Sequence, residues 1–465
     1  MTSDDFFERR AGVLLHPTSL PSGVLDQDVE RWLQLMADIG CSVWQVLPLG
    51  EPQGGLSPYQ CVSAFAMNPA LLPDYPRINR KLRAFRDYCA QQAGWLIDYA
   101  LFKILKQHFE NRPWFEWPEE WKNRFPEALA RARALYADEI AELSWQQYQL
   151  HRRWQEIRQN ANAKGILLFG DMPLFVAHNS VDVWANRERF LLDESGMMTV
   201  ITGVPPDYFS ATGQRWGNPH YNWEYIRQHQ FSWWLARVRS HLEQFDYLRI
   251  DHFRGLEAAW MINADCETAI NGEWQPMPGD ELLQHILDTM GKLPIVAEDL
   301  GTITEAVSAL RKKYHLPGMS VLQFGFDGHK DNPHRPENIE RDRVAYTGTH
   351  DNDTTLGWFL SLPDDMKRTV IKTLGALDVI LPDGSIAAGA EHRVVESLIK
   401  IAMMSRASLC IIPMQDFLHL GSETRMNTPG TSNGNWSWSF RWEQVTPVKI
   451  QVVSSLITES NRLIK

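Results

Sequence analysis

The sequence predicts a (β/α)8 barrel, class α/β, with long insertions between its strands. Three observations lead there. Eight short runs rich in Val, Ile and Leu recur along the 465 residues; most are separated by segments of helical periodicity; and most close on a polar or ionisable side chain. Alternating strand and helix signals argue for parallel β/α units around one sheet. A barrel gathers its functional groups where its strands end, which is the pattern such endings would produce. The expected organisation is one catalytic barrel domain over residues 1–465, with insertions at 70–163 and 172–225.

The strand candidates, in order, are "GVLLH" (12–16), "SVWQVLP" (42–48), "GILLFGD" (165–171), "YLRID" (247–251), "PIVAED" (294–299), "MSVLQFG" (319–325), "RVAYTGTHD" (343–351) and "LCIIPMQD" (409–416). Their polar endings are His16, Asp171, Asp251, Glu298, His350 with Asp351, and Asp416. A lone Asp after a strand serves as a helix N-cap, but carboxylates at 171, 251, 298, 351 and 416 are expected to converge on one rim.

The connecting segments fit this frame. Trp32, Leu33 and Met36 form one face of a helix ending at Gly40, a C-terminal glycine cap. Thr446 and Pro447 make an N-cap and first-turn pair opening a last helix with Val448, Val452 and Leu456 on its apolar side. In the 70–163 insertion, Ile97, Leu101 and Leu105 repeat at helical spacing and "EALARARALYADEIAEL" continues the pattern, predicting a helical subdomain. The 172–225 insertion, with "GVPPDYFSATGQRWGNPHYNW", carries prolines, glycines and aromatics and reads as a long active-site loop or lid.

Bulk properties exclude several classes. A net charge of -11 without clustered Lys and Arg argues against a nucleic-acid partner. Five dispersed cysteines without metal-ligand spacing predict a reducing, cytoplasmic setting and no metal. "MTSDDFFERR" lacks the apolar core of a signal peptide, and no apolar run is long enough to cross a bilayer, so a soluble protein without a membrane partner is expected. Nineteen tryptophans offer flat platforms for sugar rings as well as core filler.

The densest polar stretch is "FDYLRIDHFRG" (245–255), where a strand pattern carries Arg249, Asp251, His252 and Arg254. A structural ion pair and an active site both explain a buried carboxylate beside an arginine. With Asp251, Glu298 and Asp351 at one rim, two chemistries are open. Metal-assisted hydrolysis is one, although the zinc spacings HExxH and HxH are absent. Metal-free glycosyl transfer is the other. There an ionised carboxylate attacks the anomeric carbon while a protonated one about 5 to 5.5 Å away gives its proton to the leaving oxygen. Arg249, two residues before Asp251 on the same strand face, is expected to hold Asp251 anionic; Glu298, after an apolar run, is expected to stay protonated through desolvation and carboxylate repulsion.

From about residue 11 to 442 the chain resembles the amylomaltase family, 4-α-glucanotransferases related to the α-amylases. The matching motifs are "HPTSLPSG" (16), "WQVLPLG" (44), "SPYQCVSAFAMNP" (57), "GDMPLFVA" (170), "GVPPDYFSATGQRWGNP" (203), "RIDHFRG" (249), "AEDLG" (297), "THDND" (349), and "MQDFLHLG" with "RMNTPGT" (414–431). The resemblance implies a retaining mechanism with Asp251 as nucleophile, Glu298 as acid/base and Asp351 as transition-state stabiliser. It places Arg249 and His350 around the sugar next to the nucleophile, Tyr208, Phe209 and Trp216 in an aromatic arch over the cleft, and the Tyr59 ring against glucan. Through the same motifs Ser57, Asp171, Gly217, Asn218, Pro219, His252 and Asn427 are expected substrate contacts.

The chain departs from the family pattern at Asn179, where many relatives carry Asp, and at Ser437 and Ser439, where arginine is often found. The activity implied is transfer of a maltooligosaccharyl segment from one α-1,4-glucan to the 4-hydroxyl of another, or to glucose, without a cofactor. A retaining glucan hydrolase and an inactive glucan-binding protein are the alternatives. No calcium loop is recognised in the sequence. A monomer or weak homo-oligomer is expected.

Overall fold

Two sheets organise the chain in the computed structural model, which describes residues 8–206, 210–376, 379–381, 386, 387, 389, 391–431 and 433–463. Their strands are β1 (Arg10–Leu14), β2 (Val43–Gln45), β3 (Leu167–Pro173), β4 (Val200–Val204), β5 (Gln214–Pro219), β6 (Tyr247–Asp251), β7 (Ala258–Asn263), β8 (Gly272–Pro276), β9 (Ile295–Ala297), β10 (Gly318–Val321), β11 (Arg343–Tyr346) and β12 (Leu409–Pro413). Eight of them pair in parallel in the order β10-β11-β12-β1-β2-β3-β6-β9. Each of the eight expected strands is present, and the barrel prediction holds.

The barrel interior is filled. Leu14, Val43, Leu167, Phe169, Tyr247, Val296, Met319, Val321, Val344, Tyr346, Leu409 and Ile411, drawn from all eight strands, form one buried cluster. Because side chains alternate along a strand, Tyr247 in that cluster fixes the direction of the next two same-face residues, Arg249 and Asp251. Strand periodicity thus delivers an arginine and a carboxylate to the barrel mouth. The strands themselves are shorter than their apolar runs suggested: Glu298, His350, Asp351 and Asp416 lie beyond strand ends, while Asp171 sits inside β3.

Around the sheet, helix 27–39 is capped by the Asp26 side chain, buries Trp32, Leu33 and Met36, and stops at Gly40 with φ 85°, where a residue with a Cβ would be strained. The last helix (447–459) is capped by Thr446, but its buried face is Val453, Leu456 and Ile457, while Val448 is 69% exposed. The expected stripe was displaced because the apolar residues nearly encircle this helix. Within 70–163, helices occupy 83–91, 96–108, 119–122, 126–135 and 137–163. Leu101 and Leu105 are buried, but Ile97 points outward, on the solvent side of its helix. Leu150, Trp154 and Ile157 of helix 137–163 belong to the main core.

The 172–225 segment is more regular than an irregular lid. It holds helix 181–185, the first turn of helix 223–228, and the pair β4–β5, which joins β7 and β8 from the segment after β6 in a four-stranded antiparallel sheet of order β5-β4-β7-β8. Neither β7 nor β8 was expected. Half-exposed, Trp- and Gln-containing strands such as "GEWQP" carry weak apolar signals, and their partners come from a different insertion.

Candidate active site

Arg249 is the hub of the barrel mouth. Its Nη1 donates to Asp171 Oδ2 at 2.6 Å and its Nη2 to Asp251 Oδ1 at 2.8 Å. Asp171 arrives from β3 in register opposite Arg249, so the pair is set by the ladder itself. The Asp171 side chain is fully buried, whereas Asp251 keeps 29% exposure toward the cleft. Tyr59 also donates its hydroxyl to Asp171 Oδ2 at 2.7 Å. Its backbone N–H reaches Ser57 Oγ at 3.4 Å, so Ser57 shapes the turn that presents the ring.

The segment after β11 supplies the opposite wall. His350 stacks on Tyr59 with ring centroids 5.2 Å apart and an interplanar angle of 16°, and its Nε2 lies 3.4 Å from Asp351 Oδ2. Asn427 donates from Nδ2 to Asp351 Oδ1 at 2.6 Å, and Arg425 donates from Nη2 to the Asp351 carbonyl, also at 2.6 Å. Asp351 remains 46% exposed, held by these donors yet open to the cleft.

Glu298 follows β9 and is gripped by backbone: its Oε2 accepts from His252 N at 2.8 Å and its Oε1 from Leu300 N at 2.9 Å. Burial raises the Glu298 pKa above the ordinary carboxylate range, while Arg249 and the two amides pull it down. That matches the expected direction. At Asp251 the expectation is corrected. Burial pushes its carboxyl up to about 8; Arg249 opposes this, and the nearby carboxylates of Asp171, Glu298 and Asp351 reinforce it. Arg249 is divided between two acids and cannot fully offset the burial of Asp251. Both carboxyls are therefore held above the ordinary range, each adding to the other's field.

Two strand endings leave the site. Asp416 is buried and consumed by Thr347 Oγ1, Thr355 Oγ1 and Thr355 N, at 2.6, 2.7 and 2.7 Å. It is an internal tie, so the five expected carboxylates do not all converge. His16 is likewise buried, with Nδ1 on Thr18 Oγ1 and Nε2 on the Pro48 carbonyl. Among the described residues, no group of three or more His, Cys, Asp or Glu side chains is arranged to hold a metal ion.

The chain as a whole has known relatives. The 4-alpha-glucanotransferase family model matches residues 15–75 and 73–445. The chain belongs to the 4-alpha-glucanotransferase family. A 4-alpha-glucanotransferase of Thermus thermophilus is 42% identical over 487 residues, covering 94% of this chain and 96% of the relative. One from Synechocystis sp. is 41% identical over 491 residues, covering 94% and 95%. Among solved structures, the amylomaltase from Streptococcus agalactiae in complex with acarbose superposes with a TM-score of 0.91 at 34% identity, covering 98% of this chain and all of that one. The amylomaltase from Corynebacterium glutamicum, at 15% identity and a TM-score of 0.78 over 98% of this chain and 76% of that one, shares the fold.

The remaining expected contacts of this 4-alpha-glucanotransferase family member divide in two. Trp216 is half-buried and meets His252 edge-to-face, with centroids 4.7 Å apart, which places it beside the cleft. Gly217, with φ 75°, is exposed beside it. Asn218 and Pro219 are buried, and Asn218 is spent on structure: its Nδ2 donates to the Val176 carbonyl at 2.8 Å and its Oδ1 accepts from Gln60 at 3.2 Å. His252 sits in the left-handed region with φ 53°, and burial with the Arg254 charge keeps its imidazole neutral, its pKa lowered to about 3. Tyr208 and Phe209 lie outside the described residues. Asn179 accepts from Trp114 N at 3.2 Å within the helical insertion, and Ser437 and Ser439 are exposed.

Two neighbours escaped the sequence reading. Trp436 lies 5.8 Å, centroid to centroid, from both Tyr59 and His350, and Arg425 fixes the Asp351 backbone. The aromatic run "NWSWSF" (435–440) was the available signal for the first; Arg425 opens the "RMNTPGT" motif just after a 3-10 turn at 422–424, but nothing in that motif marks the backbone it holds.

Proposed function

We propose that this chain transfers α-1,4-glucan segments by retaining double displacement, with Asp251 as nucleophile, Glu298 as acid/base and Asp351 gripping sugar hydroxyls. The observation that carries this is the asymmetry between the two carboxyls: Asp251 takes a guanidinium bond directly, Glu298 takes two neutral amides. Burial raises both carboxyls, and of the two only Asp251 takes a charge-assisted bond, the stronger kind, so in the reactive state the single negative charge is assigned to Asp251 and the proton to Glu298.

In the first step an Asp251 oxygen attacks the anomeric carbon, the glycosidic bond breaks, and the Glu298 proton passes to the leaving glucan oxygen. In the second, the Glu298 carboxylate takes the proton from an acceptor 4-hydroxyl, whose oxygen displaces Asp251 and restores the configuration. Asp351, steadied by Asn427 and Arg425, accepts hydrogen bonds from ring hydroxyls as the sugar flattens. The stacked Tyr59 and His350 rings, with Trp436 beside them, offer apolar surface to sugar faces and limit water near the glycosyl-enzyme.

Maltotriose is the diagnostic substrate. Incubation should yield glucose together with a ladder of longer maltooligosaccharides, resolved by mass spectrometry. A product set of shorter sugars alone would establish a hydrolase in its place.

A further inference from the structure

β9 and β10 stand at opposite ends of the eight-strand order, so the barrel closes between them without a strand ladder. One backbone bond crosses there, from Ala297 N to the Pro317 carbonyl at 2.8 Å. Asp299 supplies the remaining closure. Its Oδ1 accepts from Met319 N at 2.7 Å, its Oδ2 accepts from Arg343 Nη1 at 2.6 Å, and Arg311 Nε stands 3.5 Å from Oδ2. Arg343 also donates to the Met319 carbonyl at 3.1 Å, and Arg311 reaches Asp342 Oδ2 at 2.8 Å. A Cβ on Gly318 would lie 2.5 Å from Asp299 Oδ2, so β10 approaches this closely because position 318 is glycine.

The clasp is adjacent to the acid/base position. Glu298 is tied by its backbone toward β6, with Glu298 N donating to the Ile250 carbonyl and Phe253 N donating to the Glu298 carbonyl, each at 3.2 Å. On the β10 side its anchor is the next residue, Asp299. We propose that Asp299 is a positioning residue for the reaction: by clasping Met319 and Arg343 it fixes the end of β9, and its charge, balanced against Arg343, sets the field in which Glu298 holds its proton. The inference rests on Glu298 being the acid/base.

Besides Asp299, the titratable groups around Glu298 are Arg249 and Asp251 from β6 and the neutral His252 after it; Arg249 and Asp251 in turn meet Asp171, Tyr59 and Asp351. Those around Asp299 are Arg343, Arg311 and Asp342, with His334 near Arg343. Substitutions at 299 and 343 leave the first group intact while changing the field in opposite senses.

The test is the alkaline limb of the kcat/KM profile for maltotriose, which reports the acid of the free enzyme. Asp299→Asn keeps an acceptor for Met319 N but leaves positive charge uncompensated, so the limb should move down by about one pH unit. Arg343→Gln leaves Asp299 with one weaker partner, so the limb should move up by a similar amount. Opposite shifts support the proposal. Falling activity with an unmoved limb, or shifts of the same sign, would mean that Asp299 merely holds the seam together and would overturn it. Where Asp299→Asn does not fold, the direction for Arg343→Gln decides alone.

Glu298→Gln is assayed in parallel with an α-maltosyl fluoride donor, whose leaving group needs no proton. Restored glycosylation supports the acid/base reading. No restoration overturns that reading, whatever the Asp299 variants do.

Discussion

Asp251→Asn should silence the enzyme and make it more stable, and the second effect depends on pH. An asparagine keeps the shape and an oxygen for Arg249 Nη2 while removing the charge. The Asp251 pKa is raised from 3.8 to about 8 in the fold. For a carboxyl raised on folding, stability is full below the unfolded pKa and is lost as pH rises through the folded one. The penalty on the parent therefore grows between about pH 4 and pH 8. At about 1.36 kcal/mol per pH unit the full shift corresponds to about 6 kcal/mol. The side chain keeps 29% exposure and solvent screens its charge, so about a third of this, or roughly 2 kcal/mol, is expected at pH 8. With an unfolding entropy of about 2.1 cal/mol/K per residue, that is a rise in Tm of about 2 °C. Calorimetry of both proteins at pH 4.5 and pH 8 measures it, alongside an activity loss of about 10⁴-fold or more. A variant less stable than the parent at pH 8, or one that still turns over maltotriose, refutes the reasoning.

Other substitutions probe separate parts of the molecule. Asn427→Ala removes the 2.6 Å bond to Asp351 and should lower kcat by about 10- to 100-fold with little change in KM, measured by glucose release. Trp436→Ala, beside the Tyr59–His350 stack, should raise KM for acceptor sugars by about 5- to 10-fold and increase the share of hydrolysis, read as reducing ends formed per transfer. Arg462→Met should cost about 3–5 kcal/mol in urea unfolding while leaving KM unchanged. That guanidinium is fully buried and donates to the carbonyls of Arg10, Met403, Ser405, Ala407 and Ser408, fastening the chain end to the base of the barrel.

What the sequence could show was local or periodic. Eight apolar runs are visible because parallel strands buried on both faces are nearly continuous in hydrophobicity, as "LCIIP" illustrates. The caps at Gly40 and Thr446 are visible because their chemistry is decided within a few residues. Arg249 and Asp251 could be placed on one face because the strand period is two. That Glu298 lies near them, and that Asp416 does not join them, follows from strand order and from what each carboxylate meets after its strand ends.

Sequence alone thus determined the barrel, its polar rim and the family to which the motifs belong. Tertiary structure decided how charge is shared there: Arg249 divides itself between Asp171 and Asp251, burial raises the carboxyls of both Asp251 and Glu298, and Asp299 closes a seam that no ladder spans among the described residues. The second sheet was also a tertiary outcome, since β4 and β5 find β7 and β8 across the cleft loops. The physical reason is common to all of these. Periodicity and capping depend on neighbours along the chain, whereas pKa values, ion pairs and strand partners depend on groups that are distant in sequence until the fold brings them together.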